Sequence, residues 1–97
     1  MANPNHNALA YDWTVTQYVA YDGATASAVL PVGLHILSPS TDCWVKGGAA
    51  APVASIANGS IFVPKGAMFH FYNVDATHKI SIIKDATAGA MSILKAV

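Results

Sequence analysis

The chain reads as all-β: a single small β-sandwich, jelly-roll-like, of about eight short antiparallel strands with an extended N-terminal arm. Three observations lead there. β-branched and aromatic residues recur in short alternating runs, and Gly, Pro and Asp separate those runs. Glu and Arg, both good helix formers, are absent from all 97 residues. That length suits one domain, divided here into an arm at 1–12 and a sandwich at 13–97.

Residues 1–12 are small and polar around Pro4 and lack either period, so they read as an arm. Extended, the arm would reach on the order of 40 Å. "WTVTQYVAY" then alternates, with Trp13, Val15, Gln17 and Val19 on one face and Thr14, Thr16, Tyr18 and Ala20 on the other. "YDGA" at 21–24 suits a hairpin turn that needs positive φ. A second strand is expected from Ala26 to Leu30, a third in "LHILS" closed by Pro39, and a fourth in "DCWVK". Gly47 to Gly59 is the longest candidate loop, with a short strand or helical turn in "AAAPVASIA" as the alternative. "SIFV", "MFHFYNV", "KISII" and "AMSILKA" complete the set, separated by "PKG", "DATH" and "DATAG".

One motif is written twice. "SAVLPVG" (Ser27 to Gly33) and "SIFVPKG" (Ser60 to Gly66) each end a strand in Leu or Val, then Pro, any residue, Gly. Pro31 and Pro64 preset φ, and Gly33 and Gly66 tolerate positive φ, so each motif predicts a hairpin at a strand end or sheet edge.

The composition excludes several function classes. Five lysines balance five aspartates, which leaves no field to steer the chain toward nucleic acid or an anionic membrane. Without Arg, the preferred side chain for phosphates and guanine edges is missing as well. Cys43 is the only cysteine, so no internal disulfide forms and no four-cysteine zinc site exists. "MANPNHNALA" has neither the basic start nor the apolar centre of a signal peptide, and no apolar run reaches membrane-spanning length. Synthesis and folding in a cytoplasm are expected.

Catalytic and metal readings find little support. His35, His70 and His78 invite comparison with a cupin metal site, yet His70 stands alone on its strand and no glutamate is available. Cys43, alternating with Trp44, reads as a small buried hydrophobe rather than a nucleophile. The aspartates stand apart, mostly at turns, where their side chains bond nearby amides. No catalytic residue, metal or cofactor is therefore expected. The aromatics are more informative, because one core cannot hold them all. With Phe69, Phe71, Ile80 and Ile82 inward, Tyr11, Trp13, Tyr18, Trp44 and Tyr72 form the candidate interface set.

At "CWVKGGAAAPVA", "NGSIFVPKG" and "KISIIKDATAGAMSI" the sequence resembles small virion proteins of tailed bacteriophages, over about Asp42 to Ile93. The resemblance implies an all-β, non-enzymatic capsid decoration or cement protein. Its partners would be the major capsid protein and copies of itself, in a trimer or other symmetric cluster on the virion, after synthesis in the host cytoplasm. A tail, connector or fibre component is the alternative within the same class. A cupin-like metal- or sugar-binding module is the alternative outside it. The histidine-bearing arm is not part of the pattern.

Overall fold

The computed structural model describes residues 11–49, 52–56 and 59–96. Residues 1–10, which carry most of the expected arm and His6, lie outside that range. The strands are β1 (Tyr11–Tyr21), β2 (Thr25–Ala26), β3 (Gly33–Pro39), β4 (Cys43–Gly48), β5 (Ile61–Val63), β6 (Phe69–Asn73), β7 (Lys79–Lys84) and β8 (Gly89–Ala96). They form two four-stranded antiparallel sheets, ordered β1-β8-β3-β6 and β2-β7-β4-β5. The domain is all-β, as its sequence predicts.

Alternation builds the core. Leu37, Met91 and Ile93 point inward from the first sheet, and Cys43, Val45, Val63, Ile80 and Ile82 point inward from the second. Phe69, Phe71 and Val19 pack against this cluster, and Leu30 and Tyr21 join it. Each large aliphatic or aromatic side chain so buried contributes roughly 1.5–3 kcal/mol.

Four expectations need correction. The first strand starts at Tyr11, because Tyr11 pairs with Ala96 and Asp12 with Lys95. A bulge between Asp12 and Thr16 then interrupts the alternation and leaves Trp13 outward. It is held by the Asp12 carboxylate, which accepts from the amide and hydroxyl of Thr14. The second strand is only two residues long, although its line continues beside β7. There Ser27 N–H and Leu30 N–H donate to the Ile80 and His78 carbonyls at 2.7 and 3.0 Å.

The third correction concerns the turns. Of the consecutive strands, only β4 and β5 are neighbours in one sheet, and every other connection carries the chain between sheets. "YDGA" is therefore a crossing and not a hairpin, and Gly23 is absent from the positive-φ glycines Gly33, Gly59 and Gly66. Finally, Gly47 and Gly48 belong to β4, and the described part of the loop, residues 52–56, contains no strand. That segment crosses the outer face of the second sheet, where Ala54 N–H donates to the Ser81 hydroxyl at 3.0 Å.

The repeated motif now has its explanation. Both copies leave an edge strand of the second sheet and enter the first, one from β2 to β3 and the other from β5 to β6. They sit at opposite ends of the sandwich, since Gly33 pairs with Asn73 and Leu37 with Phe69. In each, the Leu or Val is buried and the proline then turns the chain out of its sheet. Gly33 and Gly66 take φ of 140° and 75°, values that a side chain would strain.

Side chains fasten both crossings. At the first, the Asn73 amide donates to the carbonyls of Leu30, Pro31 and Asp75 at 2.8, 3.1 and 2.9 Å. At the second, the Asp42 carboxylate accepts from Lys65 N–H at 2.7 Å, and Gly66 N–H reaches the Pro39 carbonyl at 3.0 Å. Near that same end, Tyr21 Oη donates to the Thr41 carbonyl at 2.7 Å and accepts from Thr41 N–H at 3.2 Å. Gly89 lies against this knot: a Cβ there would fall 2.7 Å from Ser40 Oγ and 2.9 Å from Tyr21 Oη, and closer still to Thr41 Oγ1.

Two stability predictions follow from these contacts. Gly89→Ala should cost about 1–3 kcal/mol by forcing the knot apart, whereas Gly23→Ala, with nothing within 4 Å, should be nearly neutral. Equal urea midpoints for the two variants would contradict this. Asn73→Ala should cost about 1–3 kcal/mol, because it strands the buried Leu30 carbonyl, while His35 still donates to that of Pro31. Chemical denaturation of the variant measures it, and an unchanged midpoint would mean that the first crossing holds without Asn73.

Candidate interaction surface

The described histidines do not converge. His35 points into the core at 1% exposure and stacks on Phe71, with ring centroids 5.3 Å apart. Its Nε2 lies 2.8 Å from the Pro31 carbonyl, so Nε2 carries the proton and donates, while Nδ1 has no partner. His35 is thus a third fastening of the first crossing. His70 sits on the neighbouring strand but faces outward, opposite Ile36. His78, just before β7, lies 4.0 Å from the Asp75 carboxylate. Among the described residues, no group of three or more His, Cys, Asp or Glu side chains could hold a metal ion.

Cys43 is fully buried, with Sγ directed at the Val63 carbonyl at 3.7 Å. Burial pushes its thiol up to about 11, so it is protonated at neutral pH. A cleft of about 330 Å³ opens between the sheets beside β5 and β6, walled by Leu37, Val45, Ile61, Phe69, Phe71 and Ile80. Among the described residues, Lys46 is the only titratable side chain on its lining.

The five candidate aromatics divide between two faces. Tyr11, Tyr18 and Tyr72 belong to the outer face of the first sheet, and Trp13 stands beside them in the β1 bulge. Trp13, Tyr18 and Tyr72 are 72%, 76% and 63% exposed. Trp44 lies instead on the outer face of the second sheet, half-buried against Phe62, with its indole N–H donating to Asp85 at 3.0 Å. It therefore serves that sheet's own packing and is removed from the Tyr18–Tyr72 surface.

The register shows what single residues could not. Across the outer face of the first sheet run the rows Tyr18–Ser92–Ser38, Thr16–Leu94–Ile36–His70 and Tyr11–Ala96 with Leu34–Tyr72. No Lys or Asp occurs in them. Ile36, at the centre, is only 1% exposed although it points away from the core. The charges lie elsewhere: on the second sheet, in the turns, and at the end where Asp12 pairs with Lys95. Sequence reasoning found the tyrosines but not this face. The available signal was the outward alternate set of the last strand, Ala90, Ser92, Leu94 and Ala96, which is uncharged throughout.

Comparison with protein-family models, with curated proteins and with solved structures gives no match for this chain. No helix of the described residues is long and apolar enough to cross a membrane.

The turn before β7 supplies a pH test. Thr77 N–H and the Thr77 hydroxyl donate to the Asp75 carboxylate at 2.8 and 2.7 Å and hold its pKa below the ordinary 3.8. A carboxylate depressed in the folded state contributes stability above its unfolded pKa, and that contribution is lost as pH falls through the folded value. Asp75→Ala should therefore be less stable than the parent at neutral pH, with the difference fading as pH drops below 3.8. Thermal midpoints of the two proteins across the acid range check this, and a constant difference would contradict it.

Proposed function

We propose that the chain is a non-enzymatic structural protein of a phage virion, and within that class a capsid decoration or cement protein docked on the outer coat lattice. One observation carries the reading: the uncharged outer face of the first sheet, edged by exposed tyrosines. Interface centres are depleted of charge and enriched in aromatics, whereas an ordinary solvated sheet face alternates in Lys, Glu and Asp. Tyr18 and Tyr72 combine apolar bodies with polar tips, which suits a flat contact.

The jelly-roll reading is supported by the pairing of β1 with β8, β2 with β7, β3 with β6 and β4 with β5. Those pairs are the rungs of one long hairpin rolled into two sheets. Jelly rolls serve in viral capsids and also in lectins and cupins, so the fold alone does not choose among them. The face is what favours a shell, where many weak symmetric contacts add through avidity. Its partners would be the major capsid protein and further copies of this chain.

Copy number in purified particles tests the assignment. A ratio to the major coat protein near one, or a simple fraction of it, is expected. A few copies per particle would transfer the protein to the tail or connector, and absence would overturn the virion reading. The face is tested by Tyr18→Lys combined with Ser92→Lys, both on its surface. Occupancy on particles should fall at least tenfold, and undiminished occupancy would exclude this face as the docking surface.

A further inference from the structure

Two sheets of four strands have four edges, and an edge left open invites pairing with another chain. Two of the four are closed by recognisable devices, and a third is closed over part of its length. β1 is interrupted by the bulge between Asp12 and Thr16, beyond which residues 16–21 keep unbroken register with β8. β2 is two residues long, and Gln17 covers the backbone beyond it, accepting from Ala28 N–H at 3.0 Å and donating to the Val29 carbonyl at 3.3 Å. β5 is three residues long and stops at Pro64.

β6 has none of these. Its five residues, "FHFYN", contain no Pro, no Lys and no Asp, and all five pair with β3 in unbroken register. Among the described residues nothing pairs with its other edge. Exposed Met68 and Val74 flank it, and exposed Ile61 of β5 is the matching edge of the other sheet.

We propose that β6 is a self-association edge, on which a second copy of this chain adds antiparallel about a two-fold axis to make a continuous eight-stranded sheet. The strand is complementary to its own reverse. With Phe71 opposite Phe71 of the second copy, His70 falls opposite Tyr72 of that copy on the outer face, twice by symmetry. No charged residue is brought opposite another, and aromatic pairs directly across an antiparallel ribbon are favourable. Zero net charge adds no long-range repulsion between copies. The outward face would continue unbroken across both copies. A five-residue ribbon buries less than the roughly 800 Å² per partner of a standard interface, so the association is expected at micromolar concentrations.

Sedimentation equilibrium of the whole chain, from about 1 µM to 1 mM, tests the proposal, together with two double variants at exposed positions. His70→Lys with Tyr72→Lys places lysine opposite lysine and should weaken dimerisation about tenfold. His70→Asp with Tyr72→Lys places aspartate opposite lysine and should restore it to near the parental value. A parent that stays monomeric throughout overturns the proposal and leaves the edge to a different chain. Dimers indifferent to both variants overturn the β6 edge, and failure of the Asp–Lys pair to rescue overturns the Phe71-centred register.

Discussion

The structure depends on how a short chain passes between two sheets without leaving buried backbone groups unpaired. Apart from the step from β4 to β5, each connection crosses the sandwich, and a crossing strand must abandon its ladder partners. Asn73 at one end and Asp42 at the other make good that loss, by donating to and accepting from the backbone of the two proline-containing crossings. Each such hydrogen bond contributes only about 1 kcal/mol net, but leaving its partner buried and bare costs up to about 3 kcal/mol. That asymmetry is large against the margin expected of a 97-residue domain. The core packs because the crossings are fixed; apolar area alone would permit other strand orders.

Much of this fold was legible because local rules and the global arrangement agree. Inward Phe69, Phe71, Ile80 and Ile82 follow from period-two alternation, and buried Cys43 follows from its place beside Trp44. The Leu/Val-Pro-x-Gly repeat was visible, but its meaning was not. Proline and glycine report a change of direction, while the choice between returning to the same sheet and crossing to the other depends on distant strands. Asn73 illustrates the limit: at the end of "FHFYN" it reads as a turn residue, and only the fold brings the Leu30 and Pro31 carbonyls to it. The bulge at Trp13 was hidden for a related reason, since "DWTVT" alternates acceptably and the extra residues emerge only against β8. Of the candidate interface, Tyr18 and Tyr72 follow from alternation and are strongly exposed, Trp13 is turned outward only by the bulge, and Trp44 is drawn into local packing by Phe62 and Asp85.

The distribution of charge ties fold to proposed role. The chain has few ionisable groups, and the described ones gather in turns, on the second sheet, and where Asp12 meets Lys95. The salt bridge between Lys84 and Asp22 and the Asp85–Trp44 bond both serve local geometry. One broad face is thereby left neutral, and the two sides of the molecule differ in character.

The pairing of β1 with β8 has a consequence in time. Among the described residues β1 pairs only with β8, so that ladder cannot form until residues 89–96 have left the ribosome. Topologies dominated by such distant pairings fold slowly, because loop closure must precede the contacts that reward it. During that interval the edge of β3 that β8 will cover also lacks its partner while the nascent chain is still lengthening. Synthesis rate and local crowding, rather than final stability alone, then set how much of the protein reaches its native state.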